Sequence, residues 1–470
     1  MSVVHLPRAW YRMVTKIQGY KVYTNQLNVD ILNSRRGSII EENRYNEVEA
    51  NNMEYASKIL MLTKSEFSKD PRVFQEAKNL TKNGFKVTVI ALRGKDEKWK
   101  SLVKGVSVYR IPRIKLFKKS KSYGQEIKFP VLELFKEISG YICEYLYFTV
   151  SCLLFSLVIL AKEGFDIIHA HNPPDTLFII GFFYKKLLGK KFIFDHHDLC
   201  PELFLSRFSL KKSIVYKGLI LAERLTCMVA NRVIATNESY KEIEIKRDKV
   251  KPENVFVVRN GPNLNRLKLI EPDSKLKAMN RAILGYLGTM NPQDGLDYLL
   301  RSIKHLVFDL KRTDFYCVLI GAGDSLPDLK RIATDLKIED YVWFTGYIRH
   351  EDMIPYLSAT DICLNPDPSS PLNEYSTFIK IMEYMALGKP IVAFDLKETR
   401  FSAQGSAIYV KPNDELEFAK AIVTLMDDPE LRKRLGAIGR KRAEEKLAWV
   451  HTSKNLIKAY QSLLAKKASN

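Results

Sequence analysis

Cysteine is scarce in this chain, with six residues at positions 143, 152, 200, 227, 317 and 363 among 470. No two form a Cys-x-x-Cys pair and none stands at Cys/His ligand spacing, so neither a disulfide framework nor a zinc site is indicated. A reducing, cytosolic setting is expected. The first thirty residues hold scattered charge and lack the apolar core of a secretory signal, so export is not expected. A zinc finger, an RNA-binding aromatic signature and a basic zipper are also lacking, and nucleic acid is therefore not the expected partner.

What is present is enough apolar residue, 46% against 27% charged, for more than one core, and the length points to two or three domains. The net charge of +20 is uneven: residues 1–250 hold 42 Lys and Arg against 26 Asp and Glu, and the remainder holds 32 against 28. The N-terminal half therefore faces the acidic partner. With nucleic acid set aside, that partner is expected to be an anionic membrane surface, with the protein peripheral at the inner face of the cell membrane.

From Lys58 onward, short aliphatic runs alternate with longer helical stretches. The runs at 58–63, 87–92, 166–171, 191–195, 232–236 and 255–258 are continuously apolar, as in a parallel sheet covered on both faces. After a polar linker near 265–280 the pattern restarts at 282–287, 315–320, 361–364 and 390–394. The expected fold is α/β, two doubly wound domains facing each other across a cleft. Its expected divisions are an extension over 1–57, a first domain over 58–265, a second over 266–445 and a C-terminal helix over 446–470.

One segment breaks the pattern. Residues 101–130 hold eight Lys or Arg and one Glu, including Lys118, Lys119 and Lys121, and read as a solvated basic loop. Tyr145 to Ala161 then runs for seventeen residues without a charge. That is the lower limit for a membrane span, and the domain needs a helix there, so a full span is the weakest reading. Burial on the sheet and attachment to an anionic membrane both stay open, the second slightly favoured.

The most informative stretch is Pro366 to Pro390. It reads as a Pro-rich loop after a strand, a cap at Ser376 or Thr377, and a helix that stops at Gly388. Free N–H groups at that helix start suit a diphosphate. Thr377, Lys380 and Glu383 recur every three residues and share one side, either to hold a phosphate and a sugar diol or as a capped surface helix with an ion pair.

Glu383-Tyr-Met-Ala-Leu-Gly-Lys-Pro-Ile-Val resembles the second half of a loop-helix element of glycosyltransferase family 4, retaining enzymes of the GT-B fold. The resemblance extends over most of residues 58–445. It implies that Glu383 binds the ribose hydroxyls of a nucleotide. The family's first Glu would fall at Tyr375; the carboxylate here is Glu374, one residue earlier, offered to the donor sugar. Gly288 keeps a backbone turn, while Thr289 and Asp294 replace the usual phosphate-binding cations. Lys380 and Arg259 are then the nearest cations, with Asn260 and Gly261 matching an interdomain hinge. Gly321 and Gly323 follow a strand and would let backbone approach the nucleotide. Tyr347 and Ile348 match the segment that meets the base. The details resemble a subgroup of bacterial surface-polysaccharide transferases.

The acceptor side falls to the first domain. Asp70 and Arg72 sit in a loop after the first strand, where Asp70 either caps the next helix or reaches the cleft. His169 and His171 share one face of a strand, and only His171 lies at its mouth, where the resemblance gives it the donor sugar. His197 and Asp198 are read as acceptor contacts, with no metal, because GT-B chemistry generally needs none. The implied catalytic set is His171, Lys380 and Glu374; no cofactor is expected, and the substrates are a nucleoside diphosphate sugar and a glycan or lipid-linked acceptor. Two rivals are a phosphorylase carrying pyridoxal phosphate, for which no site is resembled, and a non-catalytic sugar-nucleotide-binding scaffold.

Overall fold

The computed structural model describes residues 57–114, 130–208, 213–349 and 352–464. The extension before Ser57 and the basic run containing Lys118, Lys119 and Lys121 lie outside the described residues. The described residues form one compact unit built on two sheets.

In the first sheet β1 (Ser57–Leu62) is central, between β2 (Phe85–Leu92) and β5 (Ile167–His171), and β6 (Lys191–His196), β7 (Arg232–Ala235) and β8 (Val255–Val257) continue it in parallel. Alternate residues go to opposite faces: Ile59 and Met61 join one buried cluster, Leu60 and Leu62 another. Both faces are covered, which is why these strands read as unbroken apolar runs.

The far edge is a hairpin, β3 (Lys100–Val103) against β4 (Val106–Ile111), turned at Lys104 and Gly105 with positive φ at both. This corrects the expectation of a basic loop from residue 101. The charge there is not all solvated, because Arg110 is buried and donates to Glu97 at 3.0 Å.

Among the described residues, the helices threaded between these strands are α1 (Pro71–Lys82), α2 (Pro130–Lys162), α3 (Phe178–Leu188), α4 (Cys200–Phe208), α5 (Ile214–Val229) and α6 (Glu238–Lys246). Helix α1 starts where Asp70 accepts from Val73 N and Pro71 takes the first position, and it buries Val73, Ala77 and Leu80 on one stripe. Helix α2 is apolar and long enough to cross a membrane, yet it buries Phe148, Cys152, Ser156 and Ile159 against the sheet beside α3.

The second sheet is fully parallel, in the order β11 (Val342–Gly346), β10 (Phe315–Ile320), β9 (Ala282–Leu287), β12 (Ile362–Asn365), β13 (Ile391–Phe394), β14 (Ala407–Val410). Its helices are α7 (Ser274–Ala278), α8 (Leu296–Lys304), α9 (Leu326–Asp335), α10 (Ile354–Ala359), α11 (Ile379–Ala386), α12 (Lys397–Ala403), α13 (Glu415–Asp427) and α14 (Pro429–Arg442).

The chain then returns. Trp449 N donates to Pro262 O, and α15 (Trp449–Leu464) lays Leu456, Tyr460 and Leu463 on the first sheet beside α1. A Cβ on Gly261 would sit 2.2 Å from Leu447 O, so the outgoing and returning segments cross in contact and only glycine fits.

Candidate active site

At the carboxyl ends of the second sheet the turn after β9 is packed backbone on backbone. A Cβ on Gly321 would meet Gly288 O at 1.9 Å, and one on Gly323 would meet Met290 O at 2.4 Å. These glycines, expected to let backbone approach a nucleotide, are required here by the contact between two loops. Thr289 donates to Asp294 at 3.0 Å, and the same carboxylate accepts from Asn291 N at 2.8 Å. Asp294 thus closes a capped turn.

Helix α11 runs beneath this turn. It begins at Ile379 with no side-chain cap, which corrects the expected cap at Ser376 or Thr377. The hydroxyls are engaged elsewhere: Ser376 donates to Leu372 O, and Thr377 accepts from Asn237 at 2.9 Å. The helix stops as expected, with Gly388 at φ +65°, Gly388 N on Met385 O and Lys389 N on Tyr384 O.

Lys380 and Glu383 do not pair with each other. Lys380 donates to Asp367 at 2.7 Å and to the Tyr286 hydroxyl at 3.4 Å, and its ammonium lies over the Tyr286 ring. Tyr286 in turn donates to Thr289 O at 2.6 Å, so Lys380 is tied to the turn at Gly288. Burial pushes the Asp367 carboxyl up to about 6, against the pull of Lys380. Glu383 is buried and accepts from Arg266 at 3.3 Å; burial, opposed by Arg266, lifts it to about 7. Nearby, Glu374 is half-buried and accepts from Ser369 at 2.7 Å. Tyr347 is exposed and Ile348 half-buried, both at the end of β11.

Arg259 bridges the two lobes. It is buried, pairs with Glu398 of α12 at 3.0 Å, donates to Thr377 at 3.3 Å and lies 4.1 Å from the Phe401 ring. Ser239 reaches the other oxygen of Glu398 at 2.6 Å. In this structure Arg259 and Thr377, both expected at the donor phosphate, hold the two lobes together.

The first lobe gathers its polar groups at the ends of β5 and β6. Arg72 is buried and donates to Asp195 at 2.6 Å, to Asn260 at 2.7 Å and to His197 at 2.9 Å, with Glu76 3.2 Å away. Its guanidinium ties α1 to the ends of β6 and β8, which gives Arg72 a structural role at the position expected to contact the acceptor. Asp70 is the cap of α1 and accepts from Ser65 as well, so of its two readings the structural one is seen.

His169 and His171 do share a face, with ring centres 4.2 Å apart. His171 is only 1% exposed, however, and turns to Asp195 at 3.2 Å, whereas His197 keeps 17% of its side chain open. The expectation that His171 faces the cleft is corrected: it lies behind His197. Burial and then His169 hold His171 well below its usual range. Asp195 feels burial upward, but Arg72 and the histidines outweigh it and hold its carboxyl well below the usual range. Burial and Asp195 together raise Glu76 well above its own.

Glu76, His169, His171 and Asp195 bring ligand-type atoms within 4.8 Å of one another. The donor set does not suit a metal, because the Arg72 guanidinium already supplies the positive charge between both carboxylates. Asp198 is held through its carbonyl, which accepts from Asn172 at 2.7 Å, while Asn172 Oδ1 accepts from the backbone of His197 and Asp198.

Sequence reasoning missed Asp367, Arg266, Glu398, Asn237, Asn172 and Glu76. Arg266, Glu398, Asn237 and Asn172 have no local signature, since their partners at the site are distant in the chain; Asp367 stands thirteen residues from Lys380, and Glu76 stands four residues after Arg72 on α1, an i,i+4 spacing that could have drawn notice.

Both lobes match known families. A model described as Glycosyltransferase Family 4 covers residues 72–266, and one described as Glycosyl transferases group 1 covers residues 281–428. The chain belongs to glycosyltransferase family 4. This transferase is 24% identical over 311 residues to an uncharacterized glycosyltransferase of Methanocaldococcus jannaschii, spanning 65% of this chain and 77% of the relative. It is 26% identical over 286 residues, 58% and 69% of the two chains, to the UDP-Gal:alpha-D-GlcNAc-diphosphoundecaprenol alpha-1,3-galactosyltransferase of Escherichia coli. The Anabaena HepE structure in complex with UDP and glucose superposes with a TM-score of 0.63 at 17% identity, over 86% of this chain and all of the other. The transferase has the GT-B fold.

Proposed function

We propose that the transferase moves a hexosyl or N-acetylhexosaminyl group from a UDP-linked donor to a hydroxyl of a lipid-linked glycan, with retention, at the inner membrane surface during cell-surface polysaccharide synthesis. The carrying observation is the buried Glu383 beside Lys380 on α11, a carboxylate for a ribose diol and a cation beside the turn at Gly288. The Escherichia coli relative, named for a UDP sugar and a diphosphoundecaprenol acceptor, supports the two substrate classes.

In this reading the bond from the anomeric carbon to the diphosphate breaks while the acceptor oxygen bonds to the same face. The acceptor proton passes to the departing diphosphate oxygen, so no protein nucleophile is required. The protein supplies position and charge: Lys380 and the N-terminal N–H groups of α11 stabilise the departing diphosphate. Glu374 lies toward the donor sugar, and His197 and Asp198 line the acceptor side, with His171 supporting His197 from behind.

A thermal-shift panel of nucleotide sugars, followed by transfer to polyprenyl-diphosphate-linked sugars, tests the proposal. A UDP sugar should raise the melting temperature and be consumed only with acceptor. Stabilisation by a different nucleotide alone, or transfer only to free sugars, would overturn the donor or acceptor assignment.

A further inference from the structure

Helices α2, α3 and α5 lie on one face of the first sheet and share one buried cluster beneath them. Their outward sides are unusually apolar. On α2, Ile142, Leu146, Val150, Leu154 and Leu157 are 42–58% exposed and follow one another at helical spacing. That stripe runs roughly 20 Å along the helix. On α3 the outward positions are Ile179 and Phe182, followed by Lys186; on α5 they are Ile214, Lys217, Leu221, Arg224 and Met228. No acidic residue stands among these positions of α3 and α5. A contiguous apolar face of this extent marks an interaction site, whereas scattered exposed residues would not.

The face ends at a basic cavity of about 490 Å³ at the amino-terminal edge of the sheet, bordered by Arg224, Met228, Arg232, Lys249 and Lys251. Arg232 is engaged with Ser462. Among the described residues, Arg224, Lys249 and Lys251 make no ion pair. Asp248 borders the same cavity, and burial lifts its carboxyl to about 8, so it does not cancel those cations at neutral pH.

We infer that the joined outward face of α2, α3 and α5 seats the transferase on an anionic lipid bilayer, with a headgroup phosphate taken into the cavity between Arg224, Lys249 and Lys251. Apolar side chains interleaved with Lys and Arg and lacking acids match the boundary between headgroups and acyl chains. The helix lies along the surface and does not cross it: Phe148, Cys152, Ser156 and Ile159 stay in the sheet's core, and a crossing would uncover that core. The inference deepens the membrane-linked acceptor proposed above and rests on that reading, but its test needs no sugar transfer, so each can fail alone.

The test is co-sedimentation of the full chain with vesicles of phosphatidylglycerol and phosphatidylcholine, compared with phosphatidylcholine alone. A variant carrying Leu146→Ser, Leu154→Ser and Phe182→Ser should lose at least tenfold in vesicle affinity. Arg224→Glu, Lys249→Glu and Lys251→Glu together should lose roughly a hundredfold, and only on anionic vesicles. All of these side chains are surface groups, so melting temperature and nucleotide-sugar binding should be unchanged. Lys275→Glu with Lys277→Glu, on exposed α7, serves as the control and should bind vesicles as the parent does. Equal binding by the parent and both variants would overturn the inference. So would release of the parent by millimolar inorganic phosphate, which would mark a free-phosphate site. A dimer that the apolar variant converts to monomer without loss of vesicle binding would identify the face as a contact between copies, and would also overturn it.

Discussion

Replacing Lys380 by Met removes the one cation that α11 places beside the turn at Gly288 while keeping an apolar stem of similar length. Two consequences are superimposed. Asp367 is 1% exposed and accepts from Lys380 at 2.7 Å, so the variant strands a buried carboxyl; breaking such a pair costs about 3–5 kcal/mol. The catalytic proposal adds a loss of roughly a hundred- to a thousandfold in turnover, about 3–4 kcal/mol of barrier. The pH separates them. Burial already lifts Asp367 to about 6 against Lys380, and losing Lys380 raises it further. An acid whose folded value is raised costs stability as pH rises, so the gap in stability between variant and parent should open from pH 6 to 8 and close by pH 5. Adding Asp367→Asn removes the stranded charge and should restore most of the stability, while turnover stays depressed. Denaturant unfolding across pH and initial rates at saturating donor supply the two readings. A double variant that regains turnover as well as stability would refute the reasoning, because Lys380 would then act only by neutralising Asp367.

Three other perturbations address separate parts of the molecule. Glu383 sits at about 7 because burial outweighs Arg266, so a carboxylate that accepts from ribose hydroxyls should bind the donor more tightly as pH rises from 6 to 8. Glu383→Ala should abolish both the binding and that trend, which calorimetric titration at several pH values can check. Arg72→Met leaves Asp195 and Glu76 without their shared cation and should cost about 3–5 kcal/mol, read from the shift in denaturation midpoint at constant slope. Gly321→Ala drives a Cβ to within 1.9 Å of Gly288 O at a φ of +139°, so it should lower the melting temperature sharply, whereas Gly218→Ala on exposed α5 should not.

Strands buried on both faces were legible from their aliphatic and aromatic starts, even where His or Asp follows at the carboxyl end: β1, β5, β6, β9 and β10 were all expected within a residue or two of their bounds. The hairpin β3–β4 was not, since it lies at an edge and its Lys and Arg resemble loop residues until Arg110 is seen folded onto Glu97. Strands β11 (Val-Trp-Phe-Thr-Gly) and β14 (Ala-Ile-Tyr-Val), the two edges of the second sheet, were missed although their residues are largely apolar. At the candidate site, Lys380 and Glu383 were singled out by their three-residue spacing on a helix with a readable stop at Gly388. Their partners were not. Arg266, the partner of Glu383, lies in the linker, and Asp367, the partner of Lys380, lies in the Pro-rich loop; such contacts exist only once separate segments fold together. The same cause misdirected the reading of Thr377: a hydroxyl suited to a cap was claimed by Asn237 from the other lobe.

The return of α15 to the first sheet sets an order of events during synthesis. Leu456, Tyr460 and Leu463 complete a core whose other members, such as Ile59 and Val87, leave the ribosome hundreds of residues earlier. Until α15 arrives, the face of the sheet next to α1 remains open, and His169 lacks the Tyr460 hydroxyl that it meets at 2.7 Å. The polar cluster at the ends of β5 and β6 therefore reaches its final arrangement only after α15 has been made, so a chain terminated before residue 449 would carry a first lobe unable to close its core.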